Sequence, residues 1–180
     1  MSTARIKALD AAIRQALKPH LSEQGFAYDA GSRTFRRKVA DCTQIINVQV
    51  GVRSAEGYFT VNLAAFHPEY WVDARNSLAP EKPMEFHCLE RERLSILRDT
   101  VLTRMFRPRI HSPDNFLKWW LVTPRDKWWP FSSNEIQNVR ELESLSELLL
   151  TRGIHWLDTN STATVLRTAY EKLRHVPTGA

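Results

Sequence analysis

The sequence predicts an α/β chain of the α+β type: an N-terminal helix packed on an antiparallel β-meander of four to five strands, with C-terminal helices. Three observations predict it. Apolar residues recur three and four apart over residues 3–24, the spacing that puts them on one helix face. From Gly25 the period falls to two, the alternation of a strand. After Ser132 the helical spacing returns. A chain of 180 residues suits a single domain 1–180, divided into a helix-plus-meander core (1–97), a basic and Trp-rich insertion (98–131) and C-terminal helices (132–176).

In the first helix Ile6, Leu9, Ile13, Leu17 and Leu21 form the apolar stripe. Pro19 should kink it or start a new turn, because proline lacks the N–H the ladder needs. Gly25 then ends it. Phe26–Tyr28 reads as a short strand, and Asp29-Ala30-Gly31-Ser32 as a turn. Thr34–Val39 is a second strand, returned by Ala40-Asp41. Thr43–Val52 is the most regular strand, with Ile46, Val48, Val50 and Val52 on one side and Ile45, Asn47, Gln49 and Gly51 on the other. After a turn at Ser54–Gly57, Tyr58–Phe66 sets Phe59, Val61, Leu63 and Ala65 against Tyr58, Thr60, Asn62 and Ala64. Short connections make an antiparallel meander the simplest topology.

The two faces of that sheet differ. Ile46, Val48 and Val50 beside Phe59, Val61 and Leu63 form an apolar face for the first helix to cover. The other face carries Asn47, Gln49, Thr60 and Asn62, with Arg36 and Lys38 in line. Solvation is the ordinary explanation of such a face; a polar platform for a partner is the alternative.

Residues 67–87, with Pro68, Pro80 and Pro83, read as a long loop with a turn of helix near Trp71–Asn76. Phe86–Leu97 fits a fifth strand or a helix. Residues 98–118 are basic, and the pairs Trp119-Trp120 and Trp128-Trp129 follow. Neighbours on a strand face opposite sides, so one of each pair must lie at an edge, under a loop or in a contact. Ser132 and Glu135 have capping-box spacing for a helix through Leu149. Gly153 ends that helix, Ile154–Leu157 is an extended tie, and Asp158–Asn160 cap a last helix.

Composition narrows the function classes. The net charge of +5 favours an acidic partner, nucleic acid or simple solubility. The N-terminus, MSTARIKALDAAIRQALK, has no apolar core of a signal peptide, and no apolar run reaches membrane-spanning length. The expectation is therefore a cytoplasmic protein with its two cysteines, Cys42 and Cys88, reduced. No nucleotide, metalloprotease or CxxC motif is present, so neither cofactor nor metal is expected. His87-Cys88 is the one adjacent pair of nucleophile or ligand types. Glu81, Glu85, Glu90 and Glu92 are nearby carboxylates that read more simply as surface charge.

The run GFAYDAGSRTFRRK from Gly25, then INVQVGVRSAEGYFTVNLAAFHPEYW, HCLERERL at 87–94, DKWW at 126–129 and GIHWLD at 153–158 together resemble the bacterial family called domain of unknown function 4304. The resemblance spans about Leu9 to Leu157, with 98–118 as extra length. It implies a helix, a β-meander and C-terminal helices, and no reaction.

The first functional expectation is a non-enzymatic protein-binding domain, in its specific form an immunity protein against a cognate toxin. Trp128, Trp129, Arg91 and Arg93 are its binding candidates, since Trp and Arg are the usual anchors of interfaces. The oligomeric state is open. The alternatives are a nucleic-acid binder using Arg36, Arg37, Arg104 and Arg107, and an enzyme with a site near His87.

Overall fold

The computed structural model describes residues 3–71, 78–98 and 127–174. Arg104, Arg107 and Trp119-Trp120 lie outside them, as does most of the segment expected near Trp71–Asn76.

The first helical segment runs as α1 (Thr3–Ala12), a π turn (Ile13–Leu17) and α2 (Lys18–Glu23). The π turn is the answer to Pro19. The Lys18 N–H donates to Ile13 O, so the ladder slips by one residue just before the proline. Pro19 then falls in the first turn of α2, where no N–H is needed. At the other end Gly25 takes φ +82°, and the Phe26 N–H donates to Leu21 O at 2.9 Å, the wide bond of a glycine-terminated helix.

The strands are β1 (Ala27–Asp29), β2 (Thr34–Val39), β3 (Cys42–Val50), β4 (Tyr58–Phe66), β5 (Glu90–Arg93) and β6 (Trp129–Pro130). They form an antiparallel meander in the order β1-β2-β3-β4-β5. β6 pairs with the start of β4 (Phe59 opposite Trp129), and β5 with its later half (Asn62 opposite Arg93), so both lie along one edge of β4. The fifth strand is therefore only four residues long, set between the 3₁₀ turns Glu85–His87 and Leu94–Leu97. β3 ends at Val50, and Val52 is exposed rather than in the apolar row.

The apolar face is as expected. Phe35, Ile46, Val48, Phe59, Val61 and Leu63 pack with Leu9, Ile13, Leu17 and Leu21 from the first helical segment, and with Leu142, Leu145 and Leu149. Burying a side chain of this size contributes roughly 1.5–3 kcal/mol, so this layer dominates the stability.

The C-terminal part differs from expectation in three ways. Asn134, not Ser132, caps α3 (Glu135–Leu148), its side chain accepting from the Gln137 N–H. Gly153 does not stop the chain: a π turn (Leu149–Gly153) carries it into α4 (Ile154–Asn160), where an extended tie was expected. Gly153 has ordinary helical φ, and its role is space. A Cβ there would lie 2.8 Å from Leu149 Cδ1 and 3.2 Å from Leu94 Cδ1. α5 (Ala163–Arg174) follows.

The polar face departs most from the solvated surface expected of it. Thr34, Asn47, Thr60 and Asn62 are all buried. The segment around Met84 lies over them: Arg36 Nε donates to Pro83 O at 2.8 Å, and Thr34 Oγ1 lies 3.8 Å from Met84 Sδ. Ile45, Ala64, Phe66 and Cys88 form a second apolar cluster on the same side. Buried polar groups must be paired, and most are. Asn47 Nδ2 donates to Ser32 O (3.1 Å) and Thr34 Oγ1 (3.0 Å), and Asn62 Nδ2 to Gln49 Oε1 (2.9 Å).

Among the described residues no helix is long and apolar enough to cross a membrane.

Candidate functional site

A concavity of about 700 Å³ opens on this second face, where β4 meets β5 under the overhanging 3₁₀ turn at Glu85–His87. Its size suits a small ligand or an inserted side chain. Asn62 and Gln49 are contributed by β4 and β3, Arg91 and Arg93 by β5, and Glu85 and Phe86 by the overhang.

Strand geometry puts the two arginines there. Arg93 pairs with Asn62 and Arg91 with Ala64, so they stand two residues apart on the same side of β5 as the buried amides. Arg91 is exposed and makes no ion pair among the described residues. The Arg93 guanidinium lies over the Trp128 ring, 5.2 Å from its centroid, a cation–π geometry. The Arg93 N–H also donates to Glu92 Oε1 at 2.9 Å, which ties down the strand's own carboxylate. Phe86, 62% exposed, stands at the rim.

Among the described residues, two polar atoms on this side have no partner. Thr60 Oγ1 is buried without a hydrogen bond, and so is Glu85 Oε2. The second belongs to a residue that lines the concavity. An incoming N–H or O–H would supply the donor it lacks.

The four binding candidates divide. Arg91 and Arg93 line this concavity, and the half-buried Trp128, which does not line it, lies under the Arg93 guanidinium. Trp129 does not join them. It is 4% exposed and stacks on Phe59 at 6.0 Å in the main core, with Lys127 Nζ over its ring at 5.6 Å. The expectation that one member of the pair must leave the core is met: β6 begins at Trp129, which is buried, and Trp128 just before it is half-buried outside the core.

Arg36 and Arg37 point from opposite faces of β2, so they do not present one surface to a nucleic-acid strand. Each is bonded within the fold. Arg36 reaches Pro83 O, Asp29 and Met84. Arg37 reaches Gln44, Gln24 O and Asp158 and lies over Phe26. Asp29 also accepts from the Ser32 hydroxyl and the Gly31 N–H; the Ser32 bond first, then Arg36, hold its carboxyl below the usual range.

Near His87 the geometry does not resemble a nucleophile and its base. His87 Nδ1 accepts from the Met84 N–H at 3.0 Å, and its ring is edge-on to Trp71 and Phe86. Cys88 donates to Met84 O, and burial first, then Glu85, pushes its thiol up to about 12. At neutral pH it is a thiol, the unreactive form. The space beside His87 and Cys88 amounts to about 10 Å³, too small for a substrate. Cys42 and Cys88 are both free and buried, in separate clusters. Among the described residues no group of three or more His, Cys, Asp and Glu is placed to hold a metal ion.

Glu85, Phe86 and Ile96 were not singled out as binding residues from the sequence. Glu85 and Phe86 join the site because the overhang folds back over the sheet, and Ile96 because the 3₁₀ turn after β5 borders it, neither of which a local pattern announces.

The fold is thus a helix-covered antiparallel meander with a second, polar face that is roofed and indented, an α+β domain with a recess on that face. The chain belongs to the family described as Domain of unknown function (DUF4304), whose model matches residues 17–159. No curated protein and no solved structure matches it.

Proposed function

We propose that this protein is a non-enzymatic protein-binding domain that meets its partner at the β4–β5 edge, through Trp128, Arg93 and Arg91. The observation that carries this reading is the Arg93 guanidinium held over the half-buried Trp128 ring beside an open concavity. Aromatic and arginine side chains fixed in this way are the anchors that interfaces use, because little conformational freedom remains to be lost on binding. An immunity protein, whose partner is a toxin in the same cytoplasm, is the specific form of this reading. Its support is the small α+β architecture, an analogy of class rather than of motif.

The test is a comparison of tagged wild type with Trp128→Ala and Arg93→Ala in partner capture from the native host, with circular dichroism to confirm folding. Capture that disappears with either substitution supports this surface. Equal capture by folded variants removes it. For the immunity form, co-expression with the product of the adjacent reading frame should restore growth of cells which that product arrests. Failure to protect against it overturns that form.

A further inference from the structure

The concavity contains two complementary features that protein binding in general does not require. Arg91 is an exposed cation on the side of β5 that faces the recess, with no ion pair among the described residues. Glu85 lines the same recess, and its Oε2 is buried with no donor among the described residues. A ligand that satisfies both carries an anionic group and an N–H or O–H donor close together. A simple anion without a donor, such as chloride or acetate, satisfies only the first. A cation would relieve Glu85 but meet Arg91 and Arg93.

An acidic residue in a peptide has both groups. Its side-chain carboxylate is the planar acceptor that a guanidinium recognises through two parallel bonds, and its main-chain N–H is a donor a few ångströms away. The floor also suits main chain. Asn62 and Gln49 supply amides, with Asn62 Nδ2 already committed to Gln49 Oε1, so its oxygen remains for a second main-chain N–H. Phe86 and Ile96 provide an apolar rim for flanking side chains. The net charge of +5 adds long-range attraction for an acidic segment.

We infer that the recess is a seat for an acidic side chain, Glu or Asp, of a partner's peptide segment, with the carboxylate on Arg91 and the main-chain N–H of the same residue on Glu85. This rests on the protein-binding reading and specifies the chemistry of the partner at that surface.

The experiment uses the full chain, ¹⁵N-labelled, and two capped pentapeptide probes, Gly-Gly-Glu-Gly-Gly and Gly-Gly-Gln-Gly-Gly. Titrations are followed by NMR at the Trp128 indole N–H and the Asn62 side-chain amide. The Glu peptide should shift both signals. The Gln peptide should bind at least tenfold more weakly, as should the Glu peptide with Arg91→Gln, while Arg91→Lys retains part of the affinity. Glu85→Gln, which puts an amide where the acceptor was, should weaken the Glu peptide without restoring the Gln peptide. Equal shifts with the two peptides, no shift with either, or binding indifferent to Arg91→Gln would overturn the inference. Loss of partner capture in Trp128→Ala alongside indifference to Arg91→Gln would leave the binding surface standing and remove only the acidic seat.

Discussion

Arg37 Nη2 donates to Asp158 Oδ1 at 2.6 Å, joining β2 to α4 across 121 residues of sequence. The same Asp158 oxygen accepts from Gln44 Nε2 (3.1 Å), and that fully buried amide also donates to Ser161 Oγ (2.8 Å). Arg37 Nη1 closes the set on Gln24 O, a free carbonyl at the end of α2. The GIHWLD run therefore has a structural explanation: Gly153 gives room, Ile154 and Leu157 enter the core, and Asp158 ties the sheet to the C-terminal helices.

Asp158→Ala should cost about 1–2 kcal/mol. The ion pair alone contributes little, because Asp158 is 54% exposed and such pairs are worth roughly 0–1 kcal/mol. The greater part comes from Gln44, which loses an acceptor in the interior. Asp158→Asn keeps an oxygen and should recover about half. Urea unfolding of the three chains checks this, and equal midpoints would show that the network does not contribute.

Thr60 Oγ1 is buried on the second face with no partner among the described residues. Replacing the hydroxyl by a methyl removes a desolvation cost and keeps the branched shape suited to a strand. Thr60→Val should therefore raise stability by about 1 kcal/mol, contrary to the usual effect of a core substitution. A lower unfolding midpoint would mean that the hydroxyl is satisfied in solution.

Ala40 turns the β2–β3 hairpin at φ +51°, a region in which a side chain is strained unless it is Asn, Asp or Gly. It is exposed, so the change meets no packing. Ala40→Asn should stabilise the chain by about 0.5–1 kcal/mol; thermal unfolding measures it.

Burial raises the Cys88 thiol from 9.0 to about 12. The folded state thus favours the protonated form. Its contribution to stability is complete below pH 9, where both states hold the proton, and is lost as pH rises from 9 towards 12, where the unfolded chain ionises first. At pH 8 the folded chain has about a thousandfold less thiolate at this position than the unfolded chain. Iodoacetamide labelling followed by peptide mapping should show Cys88 slowed by at least a hundredfold under native conditions, and comparable rates with and without urea would contradict it.

How much of this was legible depends on how local each signal is. The meander was, because alternation in Ile46–Val50 and Phe59–Leu63 is a property of each strand alone. The burial of Asn47, Thr60 and Asn62 was not, because their roof comes from residues 83–88. Polar identity signals exposure on average, and only the tertiary path shows that these amides pair with one another instead. Gly153 misled for a related reason. A glycine ends a helix when its positive φ is needed, but here φ is −65° and the missing Cβ is what counts. In the site, Arg91, Arg93 and Trp128 could be chosen by residue type, whereas Glu85 could be valued only once its Oε2 was seen to be buried with no partner among the described residues.

The Trp128-Trp129 pair provides the sharpest separation of fold from function. Trp129 is 4% exposed, stacked on Phe59 and set among the main core residues, so Trp129→Ala removes a large buried ring and leaves a cavity. That should cost about 3–5 kcal/mol, enough to unfold much of a marginally stable domain. Trp128, the residue just before β6, is half-buried under the Arg93 guanidinium. Its truncation sacrifices one cation–π contact, about 0.5–1 kcal/mol at a site open to solvent, and should leave the unfolding transition nearly in place while abolishing partner capture. Paired thermal melts and capture assays on the two variants distinguish the roles. If Trp128→Ala unfolds the chain as readily as Trp129→Ala, then Trp128 is a second core residue and the interface must be sought elsewhere on the β5 edge.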